Sequence, residues 1–268
     1  MKRRYSIITI TWNNAGGLVR TLGSIRSQQY KDYELIVIDG KSSDDTPAVL
    51  IANEDIITHS VSEKDSGIYN AMNKGLQYVT GDYVVFMNAG DCFASPETLS
   101  TVNGYDGDII LGGARYGESV RLPEASMTLY DVIALGINHQ STYYRSDIIR
   151  RYPFDESMKI TADHRTVCEP LAREQVRLSC VREVLSVCED GGQSKQLWKG
   201  IYAERAYMLR EIMPPFYYRD YARLSKIHPS LIDDFGVISR FAATYKVVHA
   251  FAALLRFVNR YTKKIPLE

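Results

Sequence analysis

The sequence predicts an α/β fold in which a mainly parallel sheet is covered on both faces by helices. Short, continuous apolar runs of strand length alternate with segments of helical periodicity through about residue 110. Each apolar run stops at a turn signal rich in Asp, Asn or Gly. The chain has 268 residues, 45% hydrophobic and 24% charged. That is enough to bury a sizeable core without disulfides, and too ordinary for a disordered, collagen-like or coiled-coil architecture.

Tyr5 to Thr11, rich in Ile and Thr, reads as a buried strand, and Leu18, Leu22 and Ile25 then recur at helical spacing. Leu35 to Ile38 is a second buried strand, stopped by Asp39-Gly40. A short helix should follow Asp44-Asp45-Thr46-Pro47, with Thr46 as its cap and Pro47 in its first turn. Ile57 to Val61 is a weaker strand. Ile68, Ala71, Met72, Gly75, Leu76 and Val79 mark one helical face. Tyr83 to Met87 is a buried strand ending in Asn88-Ala89-Gly90-Asp91. Further on, Asp108 to Gly112, Gln140 to Arg145 and Val176 to Val181 read as strands, and Asp163 to Glu174 as a helix. Asp190 to Ser194 is a loop, and the remainder is helical, with breaks at Pro214-Pro215 and Pro229. The expected organisation is an α/β domain over 1–200 and a helical extension over 201–268.

In parallel α/β sheets ligands bind beyond the carboxyl ends of the strands. That rule selects Thr11-Trp12-Asn13, Asp39-Gly40 and Asn88 to Asp91. A carboxylate at Asp91 can ligate a hard divalent ion that also binds a diphosphate, or serve an Asx-turn or helix cap before Pro96-Glu97. Asp39 can accept from a base or ribose, or organise the turn Asp39 to Ser43. Glu63 to Gly75 places charges and Gly67 at a helix start, followed by Asn70, Asn73 and Lys74. That arrangement suits a phosphate-bearing ligand, or a capped and solvated surface helix. Asp163 opens a helix whose dipole favours its charged form, and can equally be a plain cap. Lone histidines such as His139 and His164 are more often structural than ligands.

Lys plus Arg and Asp plus Glu both number 32. The residues from Phe235 onward carry six basic groups against one acidic, so the first 234 hold 26 basic and 31 acidic groups. An acidic body argues against nucleic acid as a partner, while a basic tail suits anionic lipid. On a helical projection Lys246, His249, Arg256, Arg260, Lys263 and Lys264 share a sector of roughly 100°, opposite Ala, Val, Leu and Phe. Such a helix can lie in a membrane interface or pack on the body with a solvated basic face. Cys92, Cys168, Cys180 and Cys188 form no CxxC pair, so reduced thiols, mostly in the core, are expected in place of a zinc knuckle. The apolar run after Met1-Lys2-Arg3-Arg4 ends too early, at Trp12-Asn13-Asn14, for an export signal. No uncharged apolar stretch approaches the ~20 residues of a membrane span.

Together, Ser6 to Asn14, Glu34 to Gly40 with Ser42 to Thr46, and Gly81 to Asp91 resemble the family 2 glycosyltransferases of the GT-A fold. In that fold a Rossmann-like mixed sheet is flanked by helices. Ser62 to Gly75, His139-Gln140, the Asp163 helix and Gly191-Gly192-Gln193-Ser194 are most similar to bacterial enzymes of capsule, colanic-acid and O-antigen assembly. The likeness covers about residues 4–200. It implies an inverting, metal-assisted transfer of a sugar from a nucleotide-diphospho-sugar, with UDP favoured. The acceptor would be a hydroxyl of a polyprenyl-linked saccharide, at the inner face of the cytoplasmic membrane.

By that resemblance Asp163 is the base, and Asp91 holds Mg or Mn. Thr11, Asn13, Asp39, Asp65, Gly67, Asn73, Lys74, Asn88, Ala89 and Gly90 face the donor, and Gly191, Gly192 and Ser194 fold over it. His139, Gln140, His164 and Trp198 belong to the acceptor or the donor side. The chain departs from the family pattern at Gly90, where another Asp is frequent, and at Asn88, where an Asp sometimes occurs. Asp91 is then the motif's single carboxylate, and cation binding should depend on the diphosphate. Two other readings compete: an inactive nucleotide-sugar binding or scaffold protein, and a sugar nucleotidyltransferase. The second lacks the early basic residues of a phosphate loop after the first strand. The Tyr-rich C-terminal half (Tyr202, Tyr207, Tyr217, Tyr218, Tyr221) can pack internally, or line an acceptor surface or the subunit surface of a homo-oligomer.

Overall fold

In a computed structural model of the chain the described residues are 3–189, 198–215 and 218. The chain divides into two compact units, Met1–Ile212 and Met213–Glu268. Of the second, residues 213–215 and 218 are described. The expected basic amphipathic helix, from Lys246 to Lys264, lies outside the described residues.

The first unit begins with β1 (Tyr5–Thr11), α1 (Ala15–Arg26), β2 (Tyr33–Asp39), α2 (Thr46–Ala52), β3 (His59–Ser62), α3 (Ile68–Leu76) and β4 (Tyr83–Phe86). After β5 (Cys92–Phe93) and α4 (Thr98–Asn103) come β6 (Ile109–Tyr116), β7 (Ser119–Arg121) and α5 (Leu129–Leu135). A 3-10 turn (His139–Ser141) leads into β8 (Thr142–Arg145) and α6 (Ser146–Arg151). Then follow α7 (Ala162–Arg173), β9 (Leu178–Cys188) and α8 (Trp198–Ile212). No helix among the described residues is long and apolar enough to cross a membrane.

The sheet order is β3-β2-β1-β4-β8-β6-β9-β5, with β7 beside β6. The block β3-β2-β1-β4 is parallel, and its register sets Thr11 beside Asp39 and Asp39 beside Ser62. β8 runs antiparallel to both β4 and β6, and β5 antiparallel to β9, while β6 and β9 are parallel. The sheet is therefore mixed. The apolar stripe of α1 (Leu18, Leu22, Ile25) packs on Ile7, Leu35, Val37 and Val85 in one core cluster. On α3, a Cβ at Gly75 would lie 2.6 Å from Ile8 Cγ2, so this helix seats its backbone directly against β1.

Several expected boundaries move. Thr46 is the first residue of α2 and not its cap. Its N–H donates to Asp44 Oδ1 at 3.0 Å, because a carboxylate two residues earlier reaches it in an Asx-type turn. β3 starts at His59, and Ile57 packs on the core from the preceding loop. Val79 is buried beyond the end of α3 at Leu76. Gln140 sits in the 3-10 turn and not in β8. Of the four free cysteines, Cys168 and Cys188 are buried and Cys92 and Cys180 half-buried.

Glu34 on β2 fixes the near end of the sheet. Its buried carboxylate accepts from Ser6 Oγ (2.5 Å), Thr80 N (2.6 Å), Thr80 Oγ1 (2.6 Å) and Gly81 N (3.1 Å). Burial opposes its charge, but those donors outweigh burial and hold the carboxyl below its ordinary value. A depressed carboxylate stabilises the fold above its unfolded pKa, and that contribution fades as pH falls through the folded one. Glu34→Gln turns an amide NH2 toward this ring of donors. It is expected to cost about 1–3 kcal/mol at neutral pH, and to flatten stability against pH below about 4.5. Urea unfolding at pH 7 and pH 4 checks this: an equal acid loss in both proteins would exclude Glu34 as its source.

Candidate active site

The carboxyl ends of β1, β2 and β3 lie together at one edge of the sheet and form one side of the candidate site. Thr11 is 6% exposed, and its Oγ1 has no partner among the described residues. Asp39 is fully buried. It accepts from Ser42 N (3.1 Å) and Ser42 Oγ (2.5 Å), and from Ser62 Oγ (2.6 Å). The turn role is thus what its carboxylate performs here, and a ligand hydroxyl would reach it by displacing Ser42 or Ser62. Asn13 has a left-handed φ of 49°. Its N–H donates to Ser42 Oγ at 2.7 Å and its Oδ1 accepts from Ser43 N at 2.8 Å, locking this turn to β1. Asp65 Oδ1 accepts from Gly67 N at 3.0 Å. Trp12, 67% exposed, stands directly beside Gly40.

The other side is the turn after β4. Ala89 N–H donates to Ile10 O (3.0 Å) and Asp91 N–H to Asn88 O (2.9 Å), while Thr21 Oγ1 donates to Asp91 O (2.7 Å). Asp91 is 7% exposed. It accepts from Gln140 Nε2 at 2.6 Å and from Glu189 N at 3.0 Å. Burial pushes its carboxyl above the ordinary value; these two donors and His139 oppose that, and the Glu189 charge adds to it.

The 3-10 turn joins this carboxylate to a second one. Gln140 holds Asp91, while His139 Nδ1 lies 3.3 Å from Asp163 Oδ2. Asn88 Nδ2 lies 3.0 Å from His139 Nε2. With the Asn88 amide donating to Nε2, the ring's Nδ1–H is the group that faces Asp163. Asp163 sits in the first turn of α7, its side chain about one-fifth exposed (21%). Burial disfavours its charge, but His139 and the His164 N–H oppose this, and the carboxyl lies below its usual range. Glu204 of α8 accepts from the N–H groups of Lys159, Ile160 and Thr161, which fixes the approach to α7.

Three expected site residues have other work. Asn73 Nδ2 donates to Phe154 O and Glu156 Oε1, and its Oδ1 accepts from Phe154 N, so Asn73 anchors a loop. Lys74 lies in the last turn of α3, not at its N-terminus, and its ammonium pairs with Glu63 (2.7 Å) and Lys64 O (2.8 Å). His164 is buried between Val132 O (2.7 Å) and Arg205 Nε (3.2 Å). Burial and the Arg205 charge push its pKa down to about 4, so it is a neutral core histidine. Gly191, Gly192, Ser194 and the Trp198 side chain lie outside the described residues.

Sequence reasoning missed Glu189 and Arg20, and it placed Trp12 at a strand end without giving it a role. Trp12 carried a signal: a large aromatic directly after a buried strand. Among the described residues no cluster of three His, Cys, Asp or Glu side chains converges on one point. Yet the donor set fits a hard cation completed by a ligand's own oxygens. A Cβ at Gly90 would collide with Glu189 Oε2 and lie 3.1 Å from its Cδ, so the space left by that glycine holds a carboxylate.

The family model "Glycosyl transferase family 2" matches residues 6–156. An uncharacterized glycosyltransferase of Mycobacterium tuberculosis is 32% identical over 193 residues, 66% of this chain and 72% of that protein. A PGL/p-HBAD biosynthesis glycosyltransferase of Mycobacterium bovis is 31% identical over 173 residues, 59% of this chain and 66% of that protein. Among solved structures, S. aureus TarS 1-349 with UDP-GlcNAc superposes at a TM-score of 0.65 with 16% identity, over 81% of this chain and 70% of that one. Glucosyl-3-phosphoglycerate synthase from Mycobacterium tuberculosis, with Mn2+, UDP and product, gives 0.59 and 16%, over 79% and 81%. The chain belongs to glycosyl transferase family 2 and has the GT-A fold.

Proposed function

We propose that this glycosyltransferase moves a sugar from a nucleotide-diphospho-sugar to an acceptor hydroxyl with inversion at the anomeric carbon. The observation that carries the reading is the pair of carboxylates, Asp91 and Asp163, held at one strand-end edge by consecutive residues of a single turn. The base and ribose would lie along Thr11, Asn13, Trp12 and the Asp39 turn, with the Thr11 hydroxyl as a ready donor. Asp91, oriented by Gln140 and the Glu189 N–H, would hold Mg or Mn beside the diphosphate. When bound, that cation acts as a Lewis acid on the leaving diphosphate.

Asp163 takes the acceptor proton. A carboxylate held ionised by His139 and the start of α7 is charged at neutral pH, and its side chain is partly exposed. One base and one in-line displacement invert the centre, and no second carboxylate nucleophile is required. His139 orients Asp163 and answers to Asn88, so the base and the diphosphate turn are set by one hydrogen-bonded chain. The neighbours' UDP, UDP-GlcNAc and Mn2+ support this assignment by likeness of fold. The acceptor is a lipid-linked saccharide of bacterial surface polysaccharide assembly, met at the inner face of the cytoplasmic membrane. The relative of the PGL/p-HBAD biosynthesis class and the basic amphipathic sequence of the tail support that part.

The test is release of nucleoside diphosphate from UDP-, GDP- and dTDP-sugars, with membrane lipid extract as acceptor and with or without Mn2+. One nucleotide class should react, with Mn2+ dependence and an inverted anomer in the lipid fraction. No release from any donor would end the transferase reading in favour of a binding protein. A second expectation concerns Trp12. Stacking of a base on an exposed aromatic is worth about 1–3 kcal/mol, so Trp12→Ala should weaken nucleotide binding by about 5- to 150-fold. Turnover at saturating donor should stay near wild type; unchanged nucleotide affinity would move the base elsewhere.

A further inference from the structure

We propose that Glu189 supplies the carboxylate that the turn lacks at Gly90, so that Asp91 and Glu189 together hold the divalent cation against the donor diphosphate. This rests on the donor reading above for the diphosphate, and on geometry of its own for Glu189. Gly90 has a φ of +106°, which disfavours any side chain there. A Cβ on it would also run into the Glu189 carboxylate, whose Cδ would lie only 3.1 Å away. A side chain at position 90 and Glu189 in its present place exclude each other. The chain has thus moved a carboxylate into the turn from the end of β9, 99 positions later in sequence.

The backbone delivers Glu189 there. β9 ends at Cys188, and the next N–H, that of Glu189, donates to Asp91 Oδ1 at 3.0 Å. One carboxylate is therefore buried and oriented, and the other, 48% exposed, is hinged from the same hydrogen bond. Glu189 Oε1 pairs with Arg20 of α1, and no hydrogen bond or ion pair among the described residues engages Oε2. Two protein carboxylates, substrate phosphate oxygens and water form the usual shell of Mg2+ in phosphate-handling sites. The Arg20 guanidinium neutralises Glu189 while no cation is present and competes with the cation for it.

The test is Mn2+ binding to the intact chain in the presence of UDP, read from the electron paramagnetic resonance signal of free Mn2+. It uses wild type, Asp91→Asn, Glu189→Gln and Arg20→Gln, with melting temperatures taken without cation. Glu189→Gln should weaken Mn2+ at least ~10-fold, the loss that even outer-shell partners of a metal cause, with an unchanged melting temperature. Arg20→Gln should bind Mn2+ as tightly as wild type or more tightly. Full Mn2+ affinity in Glu189→Gln, with Asp91→Asn still defective, overturns the role of Glu189 and leaves the donor reading intact. Equal losses in Glu189→Gln and Arg20→Gln assign the effect to the ion pair, and also overturn it. No UDP-dependent Mn2+ binding by wild type overturns the donor reading and this proposal together.

Discussion

Asp163→Asn is expected to lower sugar transfer by about 10²–10⁴-fold, the usual contribution of a positioned general base. Donor affinity should stay within about twofold of wild type, because among the described residues the Asp163 carboxylate reaches the turn after β4 only through His139, which the amide can still engage. The isosteric amide keeps its place at the start of α7 and can still meet His139, so a loss of turnover reports the missing base and not a misfolded helix. Single-turnover transfer and donor calorimetry on the same preparation separate the two quantities. Near-normal turnover by Asp163→Asn would remove Asp163 from the chemistry, and loss of donor binding with turnover would make it a ligand-side residue.

Asp91→Asn is expected to abolish the response to Mg2+ or Mn2+ and to reduce transfer by roughly 10²–10³-fold, as when one preorganised electrostatic partner of a leaving group is lost. Here donor affinity should fall with turnover, in contrast to Asp163→Asn. The amide oxygen can still accept from one of Gln140 Nε2 and the Glu189 N–H while its NH2 meets the other, so the variant should fold with a lower melting temperature, at a cost of about 1–3 kcal/mol. Transfer assays across a Mn2+ series check this. A variant that remained cation-dependent would put the cation on other residues.

The two carboxylates were legible in the sequence for a simple reason. Asp91 follows a continuous apolar strand and Asp163 opens a helix, and both signals are local. The strands β2, β1 and β4 were legible likewise, since strands covered on both faces carry unbroken apolar runs such as Leu35 to Ile38, whereas β3 (His59–Ser62, mostly exposed) gave a weaker signal. The rest depended on partners far along the chain. β5 is two residues long and exists because Cys92 and Phe93 pair with Val187 and Ser186. Arg182 and Glu183 interrupt the apolar pattern of β9, so only its first half looked like a strand.

The same limit applied to side chains. Lys74 and Asn73 had the chemistry of phosphate and sugar ligands, but Glu63, Phe154 and Glu156 already engage them. His164 was paired with Asp163 by sequence, yet its ring points to Val132 and Arg205. Gly90 read as a deficiency of the aspartate turn. Only folding brings Glu189 to the gap, and no local pattern marks a contact of that range.

The most direct test of the account is a thermal-shift panel of UDP, GDP, dTDP and CMP, each with and without Mn2+, on wild type and Asp91→Asn. One nucleoside diphosphate should raise the wild-type melting temperature, Mn2+ should enlarge the rise, and Asp91→Asn should lose the Mn2+ increment. Stabilisation that ignores Mn2+, or an increment that survives in Asp91→Asn, would contradict a cation-held diphosphate at this turn.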